Sequence, residues 1–516
     1  MAYDNIPKEK FKLANAGEKL SDKKFDTKPV GYFQDAFNRF KKNKSSMTAA
    51  FIILALLIYA IVVPFVSNYD VNFRDGYYKT VLPKCDIQFL ADLGWDGCSK
   101  MTVAQAGYDY YTAIGYEAND SSVKKILNTF VDPNTGKTHY DLYVDSYDKV
   151  GFVYIDLTTD QYEALKAYQN ETGIQVIYPM NANYKVEYKA VAAPNLWYEL
   201  EDESALSTGV SAHHDENGDP IYVPNYRTST NENAGKYDSL RIEGDNGTAG
   251  ENGDEWYVYA VKNQAGYRLR VLYSEYYNYK NGFYASHLFG SNQHGQDIFV
   301  CLASGAQLSF MLALSVSFIN FMIGVCYGAV EGYYGGVVDL TMERISDVLA
   351  SVPFIVVATL FQLHLAQKVG PIPSMLFAFV LTGWIGIASR VRTQFYRFKN
   401  SEYVMAARTL GASDARLIFR HILPNSLGTI ITGTVLIIPS VIFSESMLTY
   451  LGIVNLETSG MTSIGTMMAN GQGYLSTYPH VLAFPAVFIA LLEISFNLFG
   501  NGLRDAFNPS LRGADE

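Results

Sequence analysis

The chain has 516 residues and a formal net charge of −11, and 49% of its residues are hydrophobic. Such an acidic chain is not expected to bind nucleic acid, because a phosphate-binding surface needs net positive charge. The average hides two unlike parts. Residues 70–286 are polar, with about 32 acidic and 18 basic side chains, whereas residues 298–500 are mostly apolar. The composition therefore predicts one part in water and one in lipid.

Six segments are long and apolar enough to cross a hydrocarbon layer of about 30 Å as helices. The first carries no charge, begins too late for a signal peptide and ends without a small-residue cleavage site, so we interpret it as a retained anchor. Pro353 is expected to kink the third segment. The predicted spans are Met47–Val66, Leu302–Val330, Val348–Ala366, Ile372–Ser389, Leu427–Gly452 and Val481–Phe499.

Basic side chains cluster in connections that fall on one side of these spans. Residues 1–46 contain eleven lysines and arginines against six acidic residues, and the connection 390–426 is also basic. Since lysine and arginine are enriched in cytoplasmic loops, both termini and this connection are predicted to be cytoplasmic. The basic residues of the connection are Arg390, Arg392, Arg397, Lys399, Arg408, Arg416 and Arg420.

The predicted fold is a membrane all-α protein of six transmembrane helices, with an extracytoplasmic α+β domain inserted between the first and second helices. It divides into a cytoplasmic segment 1–46, a first transmembrane helix 47–67, an extracytoplasmic domain and linker 68–297, a five-helix core 298–503 and a cytoplasmic tail 504–516.

The cytoplasmic N-terminal segment contains a pattern typical of an amphipathic helix. Phe33, Ala36, Phe37 and Phe40 fall on one helical face, with lysines nearby. Such a helix either lies on the inner leaflet of the membrane or packs against the protein.

The region 68–297 is long enough to bury a core of its own. Its clearest pattern is strand, helix, strand: Val153–Ile155 is strand-like, Asp160–Gln169 is helical and Ile174–Tyr178 is again strand-like. The stretches WYVYAV, from residue 256, and YRLRVLY, from residue 267, are predicted to form a hairpin.

Two residue types suggest how this domain is stabilised and what it contacts. Cys85 and Cys98 are its only cysteines, and we expect them to pair, because export places them where a disulfide persists. A bridge closing so short a loop would stabilise the fold by roughly 3 kcal/mol. The abundant tyrosines are typical of contact with a protein or a peptide, and a plain spacer is the alternative.

The connection between the fourth and fifth spans contains the stretch EYVMAARTLGASDARLIFRHILPNS, residues 402–426. Ser401 is expected to cap a helix, with Glu402 near its positive end. Gly411 is expected to end that helix in a left-handed turn. Ser413 would cap a second short helix, which Pro424 ends.

The second helix of this stretch carries an apolar stripe, Leu417, Ile418 and Ile422, with basic side chains along its edge. On the first helix, Ala406 and Ala407 would let another backbone approach closely. Two short helices joined at a glycine predict a rigid knob on the cytoplasmic face rather than a plain surface connection.

This stretch resembles the cytoplasmic EAA loop of permease subunits of binding-protein-dependent ABC importers. FGSNQHGQDIFVCLASGAQLSF, GYYGGVVDLTMERISDVLASVPF, YLGI and NLFGNGLRDAFNP resemble the C-type permease of oligopeptide and dipeptide importers, over residues 30–67 and 287–512. The chain departs from the family pattern in two places. Gln296 stands where an arginine is common, and residues 70–285 form an insertion that most members lack.

The resemblance implies the type I ABC importer permease fold and a loop that docks into a cleft of an ATPase subunit. It implies a bacterial cell membrane location and four kinds of partner: a second homologous permease subunit, two ATPase subunits, a lipid-anchored extracellular peptide-binding protein and the lipid bilayer. ATP and magnesium would be bound by the ATPases. The residues implied in coupling are Glu402, Ala406, Ala407, Gly411, Ala412, Ser413, Arg416, His421 and Pro424.

The chain contains no P-loop sequence, GxxxxGK[ST], so we expect it to bind no cofactor and to hydrolyse no ATP itself. No metal site is predicted, because His213 and His214 lack further ligands at zinc spacing. Oligopeptides are the expected substrate, and dipeptides, nickel or a sugar are alternatives. An ion-coupled secondary transporter is a weaker alternative, and an anchored adhesion domain is disfavoured because one span would suffice for it.

The predicted spans also contain a set of regularly spaced glycines and two glutamates. Gly324, Gly328 and Gly332 recur every four residues, which suits close packing of membrane helices. Glu445 and Glu493 fall within spans, where an acidic side chain marks either a transport pathway or a buried hydrogen-bonding partner. The sequence leaves the choice between pathway and packing open.

Overall fold

The computed structural model describes residues 32–180, 195, 212–216, 237–242, 255–456 and 461–507. The helices of the helical part are α1 Tyr32–Lys42, α2 Lys44–Val66, α7 Ile298–Tyr334, α8 Gly336–Ala350, α9 Phe354–His364, α10 Ala366–Val369, α11 Pro371–Gly383, α12 Ile385–Phe398, α13 Glu402–Thr409, α14 Asp414–Arg416, α15 Leu423–Thr434, α16 Ile437–Tyr450, α17 Ile464–Gly471 and α18 His480–Phe507. Between α2 and α7 lie α3 Gln88–Asp92, β1 Cys98–Ala104, α4 Gln105–Ala113, β2 Val123–Val131, β3 Thr138–Asp145, β4 Phe152–Leu157, α5 Thr159–Thr172, β5 Ile177–Tyr178, β6 Tyr237–Ile242, β7 Glu255–Lys262, β8 Tyr267–Leu272 and α6 Tyr273–Asn281.

Five helical stretches among the described residues are long and apolar enough to cross a membrane: α2, α7, α11 with α12, the run Asp414–Tyr450, and α18. The helices α8 and α9 add a sixth only if they form one span, because they are bent by 71°. The bend lies beside Pro353, which lacks a backbone N–H. The expected kink is confirmed, and the expected count of six spans depends on this pair.

The predicted glycine face lies where α7 packs against α12. A Cβ atom on Gly324 would lie 2.7 Å from the Cβ of Ile387, and one on Gly332 would lie 2.7 Å from the Cβ of Phe395. At Gly328 the added atom would collide with the carbonyl oxygen of Ala388. Glycine at these positions therefore lets the two backbones approach closely, and the structure places this face in helix packing.

The N-terminal helix α1 packs on the protein. Ala36 and Phe40 are buried, and the ring of Phe40 lies 5.3 Å from that of Phe499 on α18 in an edge-to-face arrangement. Phe37 remains exposed, with the Lys41 ammonium over its ring. Of the two interpretations of this amphipathic helix, the structure favours packing against α18.

The α+β part contains two antiparallel sheets, with strand orders β1-β3-β2 and β4-β8-β7-β6, and β5 pairs with β8. The predicted strand–helix–strand is confirmed as β4, α5 and β5, and the predicted hairpin as β7 and β8. A capping box between Thr158 and Gln161 begins α5, and left-handed Gly173 ends it. The three-stranded sheet was not predicted, because β2 is mostly exposed and shows no alternation.

Tyrosines form a large part of the core of this part, whereas the predicted contact with a protein or a peptide stays a prediction. Their burial removes large apolar rings from water, while each hydroxyl group can still find a polar partner. Tyr77, Tyr116 and Tyr284 are among the exposed tyrosines. The buried core tyrosines are Tyr78, Tyr147, Tyr162, Tyr273 and Tyr277.

Cys85 and Cys98 are both free thiols, so the expected disulfide is not formed in this structure. They lie on two antiparallel segments whose register sets Lys84 opposite Asp96 and Cys85 opposite Trp95. The cysteines are thus offset by three residues, about 10 Å along the strand, and a bridge needs a Cα separation below about 7 Å. Burial also raises the pKa of the Cys98 thiol to about 12, which disfavours the reactive thiolate.

A buried loop before α7 joins the two parts. The Asp297 carboxylate caps α7 by accepting a hydrogen bond of 2.8 Å from the Val300 N–H, and its other oxygen lies 2.8 Å from Nδ1 of His287. The N–H of Val81 donates to the Ser291 hydroxyl, and the Ser291 N–H donates to the Val81 carbonyl, both at 3.0 Å. The α+β part is therefore held at the start of α7.

Gly328→Ala should destabilise the protein, because the new methyl group would collide with the α12 backbone. We expect a loss of about 1–3 kcal/mol, measured as a lower midpoint of thermal unfolding of the full chain in detergent. Gly386→Ala on α12 is the matched control, since its added Cβ meets nothing within 4 Å. An equal loss for both variants would contradict the packing role.

Candidate coupling surface

The stretch 402–426 begins with α13, formed from residues of good helix propensity with Glu402 in the first turn. The helix ends at Gly411, which has a φ of +81°. The N–H of Gly411 donates to the Arg408 carbonyl at 3.0 Å, and the N–H of Ala412 donates to the Ala407 carbonyl at 3.1 Å. This is a Schellman motif. The predicted helix and left-handed turn are confirmed.

The prediction that the Ser401 and Ser413 side chains cap the two helices is wrong. Ser401 and Ser413 occupy the residues before α13 and α14, but neither side chain caps its helix. The Ser401 hydroxyl instead donates to the Phe398 carbonyl at the end of α12. Its hydrogen bond therefore ties α13 to the preceding helix rather than satisfying the first N–H groups of α13.

The second helix of the stretch does not end at Pro424, which corrects that expectation. Asp414–Tyr450 forms one continuous run that is apolar enough to span a membrane. Its residues Leu417–Ile422 have π-helical geometry, and Pro424 is the second residue of α15. A proline clashes with the carbonyl four residues earlier, and a wider π turn removes that clash. The stretch is therefore one short helix plus the beginning of a span.

The predicted apolar stripe Leu417, Ile418 and Ile422 faces inward and is buried. It forms a cluster with Val404 of α13, with Val391 and Phe395 of α12, and with Val325 and Ala329 of α7. This cluster fixes α13 to the same helix pair that the glycines bring together.

The opposite side of α13 is exposed, and we call it the coupling face: Glu402, Met405, Ala406, Thr409 and Leu410. Leu410 is 88% exposed and Met405 is 48% exposed. Glu402, Ala406 and Leu410 follow each other at four-residue spacing and so share one side of the helix. An apolar surface of this kind on a rigid base suits contact with another protein.

The remaining predicted coupling residues lie outside the coupling face, and some are half-buried while others are exposed. Ala407 and Ala412 are half-buried against the cluster beneath the coupling face. Gly411 at the turn is exposed, as are Ser413, Arg416 and Pro424, while His421 is half-buried. The structure therefore brings only Glu402 and Ala406 of the predicted residues onto the coupling face, and it adds Met405, Thr409 and Leu410.

Polar contacts fix the stretch to the end of α7. The Tyr333 hydroxyl donates to the Asp414 carboxylate at 2.6 Å, and the Arg408 guanidinium lies 5.9 Å from the Tyr333 ring centroid. Lys399 donates to the Gly332 carbonyl at 3.0 Å. These contacts join both ends of α13 to one helix end.

Arg392 forms an ionic cluster that sequence reasoning missed. Its guanidinium donates to Asp339 at 2.6 and 2.9 Å and to Glu343 at 2.9 Å, both on α8, and Tyr396 also donates to Asp339 at 2.6 Å. Glu331 of α7 lies 3.7 Å away. From the sequence Arg392 was only one of several basic residues. Its acidic partners lie about fifty residues earlier, where no spacing rule links them.

Glu445 is fully buried in α16. One carboxylate oxygen accepts a hydrogen bond of 2.8 Å from the Ser309 hydroxyl on α7, and Ser446 lies 3.4 Å away. Its other oxygen has no hydrogen-bonding partner among the described residues. This environment corresponds to the packing alternative. Glu493 on α18 is half-buried, and its Oε1 also has no such partner.

Two family models match the chain. The model for the binding-protein-dependent transport system inner membrane component matches residues 306–513. The model for the N-terminal TM domain of oligopeptide transport permease C matches residues 31–83. Residues 84–305 lie between the two matched regions.

The oligopeptide transport system permease protein OppC of Bacillus subtilis (strain 168) is 40% identical over 226 residues, 44% of this chain and 72% of that protein. The dipeptide transport system permease protein DppC of the same organism is 40% identical over 229 residues, 44% of this chain and 70% of that protein. A solved structure of the MetNI methionine ABC transporter is 17% identical with a TM-score of 0.33, over 40% of this chain and 96% of that one.

The chain belongs to the family of binding-protein-dependent transport permeases, and it is a multi-pass membrane component of an ABC importer. Gln296 is the position where an arginine is common in the family. Its side-chain N–H donates to the Val71 carbonyl at 2.7 Å, and its side-chain oxygen accepts a hydrogen bond of 3.0 Å from Asn292. The neutral amide thus satisfies its own polar neighbours in this chain.

Glu445→Gln should leave the stability of the protein nearly unchanged, because an amide oxygen can still accept the hydrogen bond from Ser309. Glu445→Leu should destabilise by about 1–3 kcal/mol, since it leaves a buried hydroxyl group unsatisfied. Thermal unfolding of the full chain in detergent measures both. A large loss for the glutamine variant would show that the charge itself is required.

Proposed function

We propose that this chain forms half of the translocation pathway of an ATP-driven importer of oligopeptides. The names of its relatives, oligopeptide and dipeptide permeases, support this substrate class. Dipeptides, nickel or a sugar are alternatives within the same class of transporter. An ion-coupled secondary transporter is disfavoured, because it would leave the coupling face without a role.

The coupling face is the observation that carries the proposal. It presents Leu410, 88% exposed, at the end of a short helix whose inner side is buried. An ATPase subunit would receive this face in a surface cleft and would bind the ATP and magnesium. This chain would then respond to nucleotide binding in its partner without a nucleotide site of its own.

The contacts beneath the coupling face explain how movement would reach the spans. Val404 belongs to the same buried cluster as Phe395 of α12, and Asp414 accepts a hydrogen bond from Tyr333 of α7. The run that starts at Asp414 continues directly into the span that contains α16. A push on the coupling face would therefore move three helices together instead of bending a flexible loop.

The remaining partners follow from the same proposal. A second permease subunit would complete the pathway, two ATPases would bind on the cytoplasmic side, and a lipid-anchored binding protein would deliver the peptide from outside. The basic residues near the coupling face support a cytoplasmic position. The α+β part would then lie outside the cell, where it would help to dock the binding protein or shield the peptide.

Leu410→Asp should weaken ATPase binding at least tenfold, about 1.4 kcal/mol, because it places a charge in an apolar contact. ATP-dependent uptake of a labelled oligopeptide into proteoliposomes should fall with it. Leu475→Asp is the matched control, a 53% exposed leucine between α17 and α18. Unchanged ATPase affinity for Leu410→Asp would refute the coupling role, and uptake without any ATPase would favour the secondary transporter.

Replacement of residues 75–280 by a short linker should lower the affinity of the transporter for its binding protein, if the α+β part contributes to docking. The dissociation constant for purified binding protein is the measurement. ATPase binding to the same variant is the control for folding, because the coupling face lies outside the replaced region. Unchanged affinity for the binding protein would contradict the docking role.

A further inference from the structure

The short helix α3 lies at the tip of a hairpin in the α+β part. The hairpin is held by Cys85, whose N–H donates to the Trp95 carbonyl at 2.8 Å, and by Gly97, whose N–H donates to the Pro83 carbonyl at 2.9 Å. The Leu90 carbonyl accepts the Trp95 N–H at 3.0 Å and so closes the tip. The tip is therefore an ordered element that projects from two paired segments.

Three large apolar side chains of this tip are exposed, and we call them the apolar tip: Ile87, Phe89 and Leu93. They are 59%, 70% and 60% exposed, within seven residues of chain. Single exposed apolar residues are common on proteins, but a cluster of this kind marks a contact with a protein or a membrane. The position of the cluster decides between these two.

The hairpin contacts the end of a membrane span. The ring of Trp95 lies 6.4 Å from that of Phe484 in the second turn of α18, and Phe484 stacks on Phe289 at 4.1 Å. Phe484 also begins a stripe of apolar side chains on one side of α18. The exposed members of that stripe are Val487, Leu491, Ile494 and Leu498.

This stripe follows the spacing of one helix face and belongs to a span, so it suits contact with hydrocarbon. Trp95 lies over its first residue, at the level where tryptophan is enriched in membrane proteins. The hairpin that carries the apolar tip therefore meets α18 near the end of the span, through Trp95 and Phe484. A lipid surface can contact both the exposed stripe of α18 and the apolar tip.

We propose that the apolar tip inserts into the membrane surface beside the start of α18. The flanking carboxylates of Asp86 and Asp92 are exposed, which limits the insertion to the headgroup level. Asp92 also accepts a hydrogen bond of 3.0 Å from Gln88, so the polar side of α3 is ordered. The insertion would hold the α+β part against the bilayer, independently of the substrate and of the coupling partner.

Photo-crosslinking in intact membranes tests this proposal. Phe89→p-benzoylphenylalanine is introduced into the full chain, irradiated, and analysed by mass spectrometry for adducts. We expect a phospholipid adduct. Phe130→p-benzoylphenylalanine is the matched control, an exposed phenylalanine on β2 in the same part, and it should give at least tenfold less lipid adduct.

Each outcome decides the proposal. A lipid adduct at position 89 well above that at position 130 supports it. Crosslinks at position 89 mainly to a protein would overturn it in favour of a partner interface. Absence of any adduct, with the control position equally unreactive, would overturn it in favour of an apolar tip exposed to water.

Discussion

The close contact between α7 and α12 is the packing on which the other features of the helical part depend. The glycines at positions 324, 328 and 332 of α7 let the backbone of α12 approach, so the two helices make close van der Waals contact. At the end of this contact Arg392 binds Asp339 and Glu343 of α8. Three helices are thereby fixed at the place where the chain turns into α13.

The coupling face is rigid because its helix packs on α7 and α12. Its supporting cluster contains Val391 and Phe395, which lie on α12, and Val325, which lies on α7. The π turn at 417–422 lets the following helix continue past Pro424 into a span. A surface on so short a helix would otherwise be marginal, because isolated helices of this length are unstable in water.

The α+β part is fixed to the other end of the same central helix. Asp297 caps α7 and bonds His287, while Ser291 pairs with Val81. Its core depends on tyrosine, which supplies large rings and a polar group that needs a partner. For example, the buried Tyr273 hydroxyl donates to Asp75 at 2.6 Å. The two ends of α7 thus carry the two surfaces that we expect to meet partners or lipid.

The sequence was sufficient to predict five of the spans, the hairpin β7–β8, the helix α5 and the left-handed turn at Gly411, because each depends on local periodicity or on one backbone conformation. It also located the stretch that contains the coupling face. Three features could be seen only in the folded chain: Cys85 and Cys98 are offset in register, Pro424 lies within a continuing helix, and Arg392 meets acidic residues about fifty positions earlier. These outcomes depend on which distant segments become neighbours, and a chain's local pattern does not contain that information.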